Sequence, residues 1–178
     1  MKIRSLLAPV FVALVLSGCG QKDSAPAGAT AAATPAAAPA PAAGPRVIEI
    51  TANDTMKYIL GDKQSGPGTP LIIEAKAGEA LKIVLTNAGT APKEVMGHNF
   101  VLLKAGSDAG AFSAAATVAK DTGYIPPALK DEVLGNTELL GPRKSGEVSV
   151  TLAAGEYPFL CSFPAHFAVG MTGKIVVK

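Results

Sequence analysis

The chain has 178 residues, which fits one domain plus appended segments. Hydrophobic residues make up 48% and charged residues 17%, a composition too apolar for a disordered chain. Sixteen basic side chains face 14 acidic ones, and the signs balance once Lys2 and Arg4 are set aside as part of a removed segment, which argues against nucleic acid as a partner.

Residues 1–18 read as an export signal. Lys2 and Arg4 form a short basic start, and residues 6–16 are an apolar run too short for a bilayer span, which needs about 20 residues. The run ends in Leu16-Ser17-Gly18-Cys19. This resembles the lipobox of bacterial lipoproteins, which implies that Cys19 carries the lipid and opens the mature chain. Each buried CH₂ of such a lipid contributes about 0.8 kcal/mol, so several acyl chains hold a protein at the membrane surface. Gly20 rather than Asp after the cysteine points to the outer membrane, facing the periplasm or the cell surface.

Residues 19–45 read as the lipidated cysteine and a linker. Positions 20–45 hold 12 Ala and 5 Pro and no Val, Ile, Leu, Phe or Tyr. Such a stretch cannot bury enough apolar surface to offset its ordering entropy, and its prolines interrupt any long helix. The expectation is a semi-extended tether reaching roughly 30 Å as a coil and on the order of 80 Å fully extended.

The folded domain is expected over 46–178. Apolar or alternating runs at 46–51, 71–74, 81–86, 99–103, 147–152, 157–161 and 173–177 predict strands, separated by Gly, Pro, Asn and Asp clusters. Many short strands with regular turns predict an all-β Greek-key sandwich. The Ala-rich stretch 107–120 predicts a helix, no further strand is expected before 137–140, and 106–136 is read as a helix-bearing flap.

Two cysteines are present. With Cys19 lipidated, Cys161 is a lone thiol in an oxidising compartment, a liability unless buried or occupied. It opens Cys161-Ser162-Phe163-Pro164-Ala165-His166, and Met171 follows. The one other histidine is His98, in Val95-Met96-Gly97-His98-Asn99-Phe100. Taken singly, His98, His166 and Met171 each read as readily as surface or core residues. Together they give a His₂Cys set with a thioether in reserve, which matches mononuclear copper sites with a weak axial Met. Soft sulfur favours Cu(I) and imidazole suits both oxidation states, so one site tolerates both.

These two segments, in this order and with a terminal Gly173-Lys174-Ile175-Val176-Val177 strand, resemble the small blue copper proteins (cupredoxins), and within them azurin and auracyanin. The resemblance implies a cupredoxin-like fold and one copper ion held by His98, Cys161 and His166 with Met171 axial. It also implies a distant contact from the Gly97 carbonyl. Asn99 would brace the cysteine loop, and the N–H groups of Asn99 and Phe163 would point at the sulfur. Four residues separate His166 from Met171 where azurins usually have three, the azurin disulfide is absent, and Phe100 stands where azurins commonly have Trp. These departures favour the auracyanin-like side of the family.

Once the ligands are assigned, no His or Cys remains for proton handling, so neither an enzyme nor a small-molecule substrate is expected. The expected function is membrane-tethered electron transfer, with copper binding and delivery as the alternative. By the resemblance, redox partner proteins dock at an apolar rim around an exposed edge of His166, built from Met96, Pro164, Ala165, Phe167 and Ala168.

Overall fold

A computed structural model describes residues 44–178. The export signal, Cys19 and nearly all of the expected linker lie outside the described residues.

Among the described residues, ten strands run in chain order as β1 (Arg46–Asn53), β2 (Lys57–Leu60), β3 (Lys63–Gln64), β4 (Leu71–Ala75), β5 (Ala80–Asn87), β6 (Val101–Leu103), β7 (Val133–Asn136), β8 (Ser145–Thr151), β9 (Gly155–Leu160) and β10 (Thr172–Val177). They form two five-stranded sheets, ordered β3-β2-β1-β5-β8 and β4-β10-β9-β6-β7. The pairs β1–β5 and β4–β10 are parallel, and the remaining pairs are antiparallel. This is the all-β sandwich expected from the sequence.

Alternation builds the core. Ile48, Ile50 and Ala52 of β1 point inward with Leu81, Ile83 and Leu85 of β5, while Ile175 and Val177 of β10 join the same cluster with Leu71, Ile73 and Phe159. Each fully buried aliphatic side chain of this kind stabilises by roughly 1.5–3 kcal/mol. A one-residue register slip would turn every one of them to solvent, so the pattern specifies the pairing.

The flap contains less helix and more strand than the sequence suggests. Ahead of it lies α1, a single turn (Lys93–Met96), and within it α2 spans only Ala109–Ala116. Asp108 caps α2, its Oδ1 accepting from the N–H groups of Gly110 at 2.8 Å and Ala111 at 3.0 Å. The expected extension to residue 120 fails at Thr117 and Val118. The Thr117 hydroxyl donates to the Ala114 carbonyl at 2.7 Å, and the Ala119 N–H donates to the Ala116 carbonyl at 2.9 Å, three residues back instead of four, so the α-helical ladder gives way to a tighter turn. Two 3₁₀ turns follow, Lys120–Thr122 and Pro127–Glu132.

The strand expected at 137–140 is displaced: β7 lies at Val133–Asn136, inside the supposed flap, and pairs with β6. Its Gly135 hides the strand from pattern reading, yet glycine is required there, because a Cβ would sit 2.6 Å from Val148 Cγ1. Leu140 makes only an isolated bridge, to His98. The short β2–β3 hairpin also escaped sequence reading.

Candidate metal centre

One end of the sandwich gathers the ends of β1, β5 and β9 and the starts of β6 and β10. His98 arrives just before β6, Cys161 just after β9, and Met171 immediately before β10. The three ligating atoms of His98, Cys161 and His166 lie within 4.8 Å of one another, and all three residues are buried. Among the described residues this is the one such grouping of three or more His, Cys, Asp or Glu side chains. The Cys161 Sγ is 3.3 Å from His166 Nδ1.

Backbone bonds tie the loop together. The Met171 N–H donates to the His166 carbonyl at 2.9 Å, and the Cys161 N–H donates to the Met171 carbonyl at 3.1 Å. Met171 is fully buried in the main core beside Cys161. The four-residue spacer closes at Gly170, whose φ of +91° and a Cβ position 2.1 Å from the Gly66 backbone both demand glycine.

Asn99 joins the two distant segments. Its Oδ1 accepts from the Ser162 N–H at 2.9 Å, and its Nδ2 donates to Ser162 Oγ at 2.8 Å. The residue after His98 is thereby clamped to the residue after Cys161. The buried Tyr58 hydroxyl donates to the Asn99 carbonyl from β2. Tyr58 and Ser162 were not singled out from the sequence. A tyrosine in an apolar run reads as core, whereas Ser162, polar and next to Cys161, carried a usable signal. Gly97 is buried after α1, where a Cβ would meet the Lys93 carbonyl oxygen at 2.6 Å and Leu139 Cγ at 2.8 Å, so close approach excludes any larger residue.

Electrostatics leaves the histidines neutral. Burial lowers His98 to about 4, against a raising influence of the Asn53 backbone and the Asp54 carboxylate. Burial and then the charge of His98 lower His166 to about 4. Burial pushes the Cys161 thiol up to about 12, opposed by the N–H groups of Asn99 and Phe163. Both nitrogens of the His98 ring are buried without a hydrogen-bond partner of good geometry. Such an orphan costs about 1–3 kcal/mol unless something else satisfies it. A metal ion meets that need, and two imidazoles, a thiol and an adjacent thioether-bearing residue are the donor chemistry that copper prefers.

The rim differs in detail from expectation. His166 is only 2% exposed. Phe167 turns partly inward, packing with Ala109, Ile125 and Leu129 against the small cluster of Val101, Leu103, Phe112 and Leu160. Ala165 and Ala168 are exposed, Met96 and Pro164 are half-buried, and Val95 and Val169 add exposed apolar surface. A cleft of about 1050 Å³ is lined by residues such as Arg46, Ile48, Leu60 and Ile73, and by none of the three clustered residues.

Comparison with known proteins agrees with this geometry. The chain is 34% identical over 131 residues to outer membrane protein H.8 of Neisseria meningitidis serogroup B, which covers 72% of this chain and 65% of that relative. It therefore spans just under two thirds of the H.8 length. It is 36% identical over 135 residues to the azurin of Pseudomonas chlororaphis, covering 74% of this chain and 97% of the azurin. Among solved structures, the dithionite-reduced auracyanin of Roseiflexus castenholzii matches with a TM-score of 0.59 at 28% identity, covering 74% of this chain and 96% of that one. The model of copper-binding proteins of the plastocyanin/azurin family matches residues 69–178, and the chain belongs to that family.

Proposed function

We propose that the protein is a one-electron carrier in which His98, Cys161 and His166 hold a single copper ion, with Met171 as a weaker fourth ligand. The observation that carries the reading is the buried His98–Cys161–His166 cluster, braced through Asn99–Ser162 and through the backbone bonds of Met171. Copper bound there supplies a Cu(I)/Cu(II) couple. The chain's own contribution is rigidity and dryness. Ligand-bearing segments pinned on both sides change little between oxidation states, and burial keeps water from the donor atoms. Gly97 is assigned the distant carbonyl contact, and Asn99 the bracing of the cysteine loop.

A carrier needs no substrate pocket, and we read the protein as a carrier rather than an enzyme. Partners are redox proteins that dock on the apolar surface of Val95, Met96, Pro164, Ala165, Ala168 and Val169, near His166. At its start the chain is assigned a lipid on Cys19 and a tether up to residue 45. The name of the H.8 relative places that protein at the outer membrane, which supports export and membrane association here.

Redox titration of the copper-loaded protein tests this. A reversible one-electron couple is expected, with exchange slowed at least tenfold in His166→Gly. Irreversible reduction with rapid loss of Cu(I) to a chelator would favour copper delivery instead.

A further inference from the structure

Asn87 at the end of β5 is wholly buried, and nothing in the proposed ligand set uses it. A polar side chain in such a place is retained only if its groups are satisfied, and here they are. Its Nδ2 donates to the Leu140 carbonyl at 3.1 Å, and its Oδ1 accepts from the Gly89 N–H at 2.8 Å. Its own N–H donates to the Lys144 carbonyl at 2.9 Å, and its carbonyl accepts from the Arg143 N–H at 2.8 Å. Asn87 therefore fastens residues 140–144 to the end of β5.

His98 hangs on that segment. It lies outside any strand, and its one backbone pairing is with Leu140. The His98 N–H donates to the Leu140 carbonyl at 3.2 Å, and the Leu140 N–H donates to the His98 carbonyl at 2.7 Å. The Leu140 carbonyl thus accepts from both His98 and Asn87. Without the Asn87 amide, residues 137–140 have no sheet to fix the direction of that carbonyl.

The other arm of Asn87 leads to the same histidine. Gly89, held by Oδ1, packs so tightly that a Cβ would lie 2.1 Å from Asp54 Oδ1. The next residue, Thr90, donates to Asp54 Oδ2 through its N–H at 2.8 Å and its hydroxyl at 3.1 Å. The Asn53 backbone and the Asp54 carboxylate both act on the His98 ring.

We propose that Asn87 is a positioning residue for His98, fixing its backbone through the Leu140 carbonyl and seating the Asn53–Asp54 turn through Gly89. The inference rests on His98 being a copper ligand. It adds that the position of His98 is set before metal arrives, by a residue that does not touch the metal.

The test uses the whole protein, metal-free and copper-loaded, as wild type, Asn87→Asp and Asn87→Ala, with the core variant Val148→Ala as a stability control. Asp keeps the acceptor for Gly89 and loses the donor to Leu140; Ala loses both. In the metal-free protein, the His98 amide is expected to exchange about tenfold faster in Asn87→Asp, beyond any change common to all core amides. On loading, the Cu(II) Kd should rise about tenfold, the scale of one lost hydrogen bond, and the ratio of the copper absorption bands should shift. Val148→Ala should lower Tm without either effect. Asn87 variants that lose stability but keep wild-type His98 exchange and copper bands would overturn the proposal. If the variants do not fold, the wild-type Asn87 side-chain amide decides. Protection from exchange supports the role, and free exchange refutes it. A wild type that binds no copper would refute the ligand reading instead, and the metal-free exchange would still decide the role of Asn87.

Discussion

Asn99 shows at the scale of one residue how the centre is held. Its two bonds to Ser162 link segments 63 positions apart in the chain. Replacing it with Leu leaves the buried Ser162 N–H without a partner, a cost of about 1–3 kcal/mol. Asn99→Leu should therefore lower the metal-free unfolding free energy by that amount in a urea melt, and an unchanged midpoint would refute the clamp. Most of the cluster was legible at this scale. Cys161, the only two histidines and a downstream methionine in one order leave few other readings. Asn87 and Tyr58 were not legible, because an asparagine at a strand end and a tyrosine in an apolar run are ordinary features. Their meaning lies in partners 53 and 41 positions away.

Among the elements, the loop from Cys161 to Met171 matters most. Four spacer residues separate His166 from Cys161 and four more separate it from Met171, and closure depends on Gly170. Any Cβ there meets the Gly66 backbone, which cannot give way as a flexible side chain could. Gly170→Ala should cost several kcal/mol, on the order of 3, combining overpacking with a left-handed φ. It should also weaken copper binding more than an equally destabilising change in β8. Wild-type Tm and copper affinity in that variant would count against the loop geometry. Strands with strict alternation, such as β1, β5 and β10, could be read from the sequence to within about two residues. β7 could not, since Gly135 and Asn136 look like a turn until β8 is packed against them. The helix boundary failed for a different reason: alanine content signals helix, while the Thr117 hydroxyl and a three-residue bond from Ala119 tighten the last turn.

Over the whole molecule, burying two histidines couples folding to protonation. Both have folded values near 4 against 6.5 unperturbed, so between those values the unfolded chain binds more protons than the folded one. Stability of the metal-free protein therefore rises with pH from about 4 to about 6.5 and levels off above. Thermal melts at pH 4.5, 5.5 and 7.5 should show rising Tm, and a flat profile below 6.5 would mean that the rings are not buried neutral. The sandwich itself followed from strand count and turn spacing. Its division into two mixed sheets did not, because the parallel β1–β5 and β4–β10 pairs join segments distant in the chain.

The central claim is that His98, Cys161 and His166 form one preorganised copper site. The visible absorption spectrum of the Cu(II)-loaded protein beside Cys161→Ser tests it most directly. An intense blue or green thiolate-to-copper band, lost in the variant, is the predicted result. A colourless wild type, or a band that survives in Cys161→Ser, would contradict the account.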